Sequence, residues 1–243
     1  MSTYPEIVAT DDRSSSRSAV LIEVAGFIAL ALISKFLIDQ LTWRFSGPIS
    51  LLMTLAILTL YLRSRGLSWA DMGLRKLPGI KAKLFVIPQA FLTFVAFVAV
   101  VAPILILGNF FGWEFLTEEP SGVEDRWGSV RGNWPMYLLW LGIVWTSAAF
   151  GEEMFFRGYL ITRLQTVFSD IKFGNALAVI APALLFGFAH FYYQGFRGLL
   201  ITGLIGLAFG TMFLLFKRNL WPLILWHGVI DTLTFTAMFM NWE

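Results

Sequence analysis

Seven apolar runs constrain this chain more than any other feature, at residues 19–38, 49–62, 84–111, 135–168, 176–193, 198–216 and 220–240. A membrane-spanning helix needs about 20 mostly apolar residues, so seven would use roughly 140 and leave only short connections. Backbone amides in hydrocarbon must be paired within the segment, which makes an all-α, polytopic transmembrane bundle of about seven spans the expected fold. Composition agrees. The chain is 57% hydrophobic and 14% charged, against about 25% charged for a soluble domain, and a water-soluble globule is excluded. Residues 1–18 read as a polar tail, and 1–243 as a single integral-membrane domain with no linker. The first run carries Glu23 and Lys35 and is longer than the apolar region of a secretory signal, so it reads as a retained helix. Without cysteine there is no disulfide, iron–sulfur cluster, cysteine-ligated zinc or thiol nucleophile.

The net charge of +2 does not point to nucleic acid, because what matters is how the cations are distributed about the membrane. Residues 63–83 contain Arg63, Arg65, Arg75, Lys76, Lys81 and Lys83 against Asp71 alone, which marks that loop as cytoplasmic. Threading from it puts Arg13, Arg17, Arg163, Lys172, Lys217 and Arg218 on the same side, with Arg44, Arg126, Arg131 and Arg197 opposite. The outside segment 112–134, rich in Glu and Asp, reads as a solvated surface connection without chemistry. The localisation expected is a multi-pass protein of the cell membrane. In the sixth run Gly198, Thr202, Gly206 and Gly210 fall four apart, a stripe that lets a neighbouring backbone come close.

Ionisable residues inside spans are costly and mark cavities, pathways or reaction sites. Here they form three groups: Glu152, Glu153 and Arg157 in the fourth run, His190 with Phe186 in the fifth, and His227 with Asp231 in the seventh. Both histidines of the chain are among them. Glu153 and Arg157 stand at i and i+4 in the favourable order for an ion pair, and Glu152 is turned about 100° away, free for another partner. His227 and Asp231 share a face, and Phe186 lies one turn before His190, able to wall its ring from lipid. At 1.5 Å per residue, Glu152 is roughly 24 Å from Phe168 and His190 roughly 21 Å from Ala176, so they can be level. His227 is only about 10 Å from Leu220, so either the seventh helix starts inside the membrane or the fourth and fifth project beyond it. Taken singly, these groups would serve as a structural ion pair or as polar residues bonded to backbone. Together they predict a buried polar site between the fourth, fifth and seventh spans.

In order, the motifs EExxxR, FxxxH and HxxxD resemble those of the CPBP family of intramembrane proteases, which includes CAAX prenyl endopeptidases and bacterial relatives of bacteriocin-processing and abortive-infection type. The motif core covers about 135–240. Gly66 to Arg75 is similar to the loop preceding the core in bacterial members. The resemblance implies an endopeptidase acting on a membrane-associated or prenylated protein or peptide in the bilayer. It also implies a water activated by Glu152 and His190, an oxyanion stabilised by His227 with Asp231, and support from Glu153, Arg157 and Phe186. A carboxylate removed from bulk water becomes a better general base, which suits Glu152. Asp231 departs from the family pattern, since prenyl endopeptidases carry Asn there, and an ionised carboxylate repels an oxyanion where an amide donates to it.

Three alternatives stand beside the metal-free glutamate mechanism. Glu152, His190, His227 and Asp231 form a plausible zinc set, although no HExxH is present. Glu152, His190 and Asp231 could instead form the proton relay of a coupled transporter, though no repeat accompanies them. A scaffold that binds membrane partners without catalysis would not need this constellation.

Overall fold

In the computed structural model, residues 16–242 are described. Most of the polar tail, with Arg13, lies outside them. Among the described residues there is no strand, and the long helices are α1 (Arg17–Asp39), α2 (Ser46–Ser64), α3 (Gly79–Phe111, with a short break at Phe85), α4 (134–167), α5 (174–194), α6 (196–215) and α7 (Trp221–Phe239). Local chemistry sets their ends. Ser16 Oγ accepts from the amide of Ala19, capping α1. The Asn133 side chain does the same for α4 through Met136, with Pro135 in the first turn where an amide hydrogen is not needed. Pro48 likewise sits in the first turn of α2, which therefore begins at Ser46, before the run of apolar residues starts. Gly112 ends α3 with φ of 66°, in the left-handed region that favours glycine.

Among the described residues, five helical segments are long and apolar enough to cross a membrane: α1, α2, α3, the α5–α6 unit Gly174–Leu215, and α7. Their outward faces carry exposed Ile22, Phe36, Leu60, Phe91 and Leu184, as surfaces facing lipid tails do. The protein is thus an integral membrane protein. Its α5–α6 unit is bent back on itself at Gly195, where φ is 55° and ψ −150°. The two arms run antiparallel in close contact through the small-residue stripe. A methyl on Gly206 would come within 2.9 Å of Ala183 Cα, and one on Gly210 within 2.7 Å of Val179. The stripe is a packing surface, as its spacing predicts.

At the centre is α4, packed against α1, α2, α5 and α7. Nearly every residue from Glu153 to Ile161 is buried, which explains how this helix can carry charge without meeting lipid. One end of α4 is held by Glu23 of α1. Its carboxylate accepts Arg163 Nε at 2.9 Å and Nη2 at 2.8 Å, together with the hydroxyls of Tyr61 and Tyr159, each at 3.0 Å. Four donors on one carboxylate compensate its burial and fix α1 and α2 to α4. Further along α1, Lys35 pairs with Asp39 at 2.5 Å.

The mismatch in depth of the seventh run is resolved by the segment between α2 and α3, which enters the bundle. Leu67 and Met72 are buried. The amide of Leu220 donates to the carbonyl of Gly73 at 3.2 Å, and Gly158 of α4 abuts the carbonyl of Met72 and the side chain of Leu220. So α7 begins level with Gly158, while α4 continues beyond it to Val167.

Candidate active site

From Val144 to Ile161, α4 adopts the wide π-type helix, with hydrogen bonds from i to i+5. More residues per turn mean less than 100° between neighbours, so Glu152 and Glu153 project closer together than an α-helix allows. Both reach His227. Its Nδ1 lies 2.8 Å from Glu153 Oε1, and its Nε2 lies 3.9 Å from Glu152 Oε2 and 3.5 Å from Asp231 Oδ2. Each ring nitrogen therefore has a carboxylate acceptor facing it, and the i, i+4 pairing of His227 with Asp231 holds as spaced.

The ion pair of Glu153 with Arg157 is also present, at 3.1 Å, with both residues almost wholly buried. Sequence spacing did not reveal its second function. The same Oε1 accepts from Arg157 and lies against His227, while Oε2 is buried without a partner. The Arg157 guanidinium is held between aromatic faces, 4.5 Å from the Phe186 ring and 5.3 Å from that of Phe209.

His190 lies on another wall. Its Nδ1 is 2.9 Å from the Phe186 carbonyl, and because a carbonyl only accepts, Nδ1 carries the proton and Nε2 is the lone-pair nitrogen of the neutral ring. Phe186 thus orients His190 through its backbone and walls it through its ring, with centroids 4.6 Å apart. Glu152, His190, His227 and Asp231 all line one cavity of about 400 Å³. The imidazole within 3.9 Å of Glu152 is that of His227.

Two further features escaped the sequence reading. Segment 112–134 is not only a solvated connection, because its helix Ser121–Trp127 turns inward and puts Arg126 and Trp127 on the cavity wall. The hint was an apolar pattern, Val123 and Trp127, within an otherwise acidic stretch. The other is Gly228, between His227 and Asp231. The Trp145 indole of α4 covers it so closely that a methyl there would come within 2.5 Å of the ring. Trp145 Nε1 donates to Thr232 Oγ1 at 3.1 Å, a second tie between α4 and α7.

As a zinc set, the four cavity residues do not fit as arranged. Among the described residues, no three His, Asp or Glu side chains are disposed to hold a metal ion. The Nδ1 of each imidazole is engaged by a protein acceptor, so Nε2 is the nitrogen each ring would turn to a ligand.

A helical membrane protein with carboxylates and imidazoles gathered in a cavity of the bundle is the class that the fold and these contacts define. Residues 134–233 match the family model described as type II CAAX prenyl endopeptidase Rce1-like, a stretch that contains all three motifs. Over this stretch, less than half of its length, the chain is similar to CAAX prenyl endopeptidases. No curated protein and no solved structure matches it.

Proposed function

We propose that the protein is a glutamate-type intramembrane endopeptidase that hydrolyses a peptide bond of a membrane-associated or prenylated protein. We read seven spans, counting α4 and each arm of the α5–α6 unit, and place the chain in the cell membrane. One observation carries the reading: Glu152 and Asp231 both face His227 Nε2, within 3.9 Å, in a cavity that His190 also lines.

In this mechanism Glu152 removes a proton from water as its oxygen attacks the scissile carbonyl carbon. The lone pair on His190 Nε2 accepts a hydrogen bond from the same water and aims it. Negative charge moves to the carbonyl oxygen, where His227 donates. Asp231, as a carboxylate, is unsuited to touch that oxygen; at 3.5 Å from Nε2 it favours the charged His227 ring, and the Nε2–H turns from it to the oxyanion while Nδ1 stays on Glu153. The proton on Glu152 then passes to the leaving nitrogen as the C–N bond breaks, giving a carboxylate product and an amine. Glu153 and Arg157 fix His227 and do not contact substrate.

The test is the purified protein in liposomes, given a prenylated peptide and a library of membrane-protein segments with and without chelator, with new termini read by mass spectrometry. Cleavage that survives Glu152→Gln unchanged would sink the mechanism.

A further inference from the structure

The cavity has a second polar feature that hydrolysis does not use. Arg126 is 4% exposed and lines the same space as Glu152 and His190. Its guanidinium is caged by aromatic rings, 5.0 Å from the Tyr193 centroid, 5.6 Å from Tyr192 and 5.7 Å from Trp43. Nη1 donates to the Tyr192 hydroxyl. Gly47 keeps room beside Nη2, since a methyl there would stand 3.1 Å from it. Nε is buried with no partner.

No carboxylate of the described residues lies within ion-pair reach of Arg126. Glu124, two residues before it, pairs with Arg131 at 2.6 Å. Ring faces and a phenol satisfy part of a guanidinium but do not neutralise it, and a buried cation without a counter-charge is expensive. Of the buried arginines among the described residues, Arg163 and Arg157 are each held by a carboxylate.

We propose that Arg126 is the carboxylate-binding residue of the cavity, anchoring a negatively charged group of the bound peptide and so fixing which bond is presented. This rests on the peptidase reading above. A guanidinium fork matches a carboxylate in shape and charge. The cavity also carries charge of both signs, Glu152 and Asp231, which repel an anion, and Arg126, which attracts one. Two ring contacts separate His190 from the anchor, 5.7 Å from His190 to Tyr193 and 5.0 Å from Tyr193 to Arg126. An extended chain advances about 3.3 to 3.6 Å per residue, so a carboxylate two or three residues beyond the scissile carbonyl reaches Arg126. It comes either from the peptide's carboxyl terminus or from an Asp or Glu side chain.

The experiment compares one short farnesylated peptide in three forms: free acid, carboxyl-terminal amide, and free acid with its Asp and Glu replaced by Asn and Gln. On the wild type, neutralising the anchoring carboxylate should raise KM about tenfold with kcat little changed, the loss of one charge-assisted contact. The form that suffers identifies the source. In Arg126→Gln the three forms should become equivalent, and Arg126→Lys should restore part of the discrimination. Equilibrium binding of the same peptides to Glu152→Gln reads the subsite without turnover and needs no change at Arg126. Equal binding of all three forms there, or equal KM on the wild type, overturns the proposal. If nothing is cleaved yet the acid binds more tightly in an Arg126-dependent manner, the subsite stands and the peptidase reading fails.

Discussion

His227 Nδ1 lies 2.8 Å from Glu153 Oε1, so the HxxxD helix is fastened to the EExxxR helix through the very oxygen that also accepts from Arg157. The consecutive glutamates are thereby separated in function. Glu153 is buried, bonded twice and unable to reach a substrate, whereas Glu152 opens onto the cavity.

Glu152→Gln keeps the size of the side chain and removes the base, so hydrolysis should nearly vanish while thermal unfolding in detergent stays close to wild type. Arg157→Ala should do the reverse in stability. It leaves Glu153 buried without its cation, a change that costs about 3–5 kcal/mol when one member of a buried pair is removed. Size-exclusion profiles and unfolding midpoints beside turnover rates separate the two effects. A stable, inactive Arg157→Ala with an active Glu152→Gln would exchange the assignments.

Legibility followed range along the chain. Pairs spaced i and i+4 were readable because helix geometry alone puts them on one face: Glu153 with Arg157, His227 with Asp231, Phe186 with His190. Contacts between helices were not. Nothing in the spacing tells that Glu153 meets His227, and the π-type turns that bring both glutamates to one imidazole leave no mark in the apolar pattern. Arg126 was hidden by its acidic neighbours. Spacing leaves the depth of His227 open between two arrangements, because nothing in it shows that residues 66–75 bury Leu67 and Met72 within the bundle.

Gly228→Ala tests the packing that positions the acid and imidazole pair. A methyl would meet the Trp145 ring at 2.5 to 2.7 Å, a distance that forces the indole or α7 to move. Overpacking of this kind costs about 1–3 kcal/mol. Activity should fall further than the loss of folded protein explains, because His227 and Asp231 flank the displaced residue. Combining it with Trp145→Phe, which removes the outer ring, should recover part of the rate. Wild-type activity in Gly228→Ala would show that the contact is not tight in the working protein.

The topology has a consequence for access. Residues 63–83, α4's end at Val167, and the turn at Lys217 and Arg218 lie at one end of the bundle, joined by the Arg218 bonds to Asp71 and Thr162. Arg126 and Tyr192, which line the cavity, lie at the other. From the distribution of basic residues we propose that this end is cytoplasmic and that the cavity lies in the external half. Reporter fusions at Pro78 and Ser121 should report the cytoplasm and the exterior respectively. The same compartment for both would overturn the orientation.

Asp231 decides between the glutamate and zinc mechanisms, because the two want opposite things of it. Its Oδ2 lies 3.5 Å from His227 Nε2, a place from which an amide oxygen would still accept from the ring while its NH2 gains the ability to donate to an oxyanion. Asn is also a poor metal ligand. On the glutamate mechanism Asp231→Asn should retain or raise activity, and a chelator should leave both forms unchanged. On a zinc mechanism the substitution should lower metal content and rate together, and added zinc should recover the chelated wild type. Metal analysis of the purified wild type that found about one zinc per chain, lost in Asp231→Asn along with activity, would replace the glutamate mechanism with a metal-dependent one.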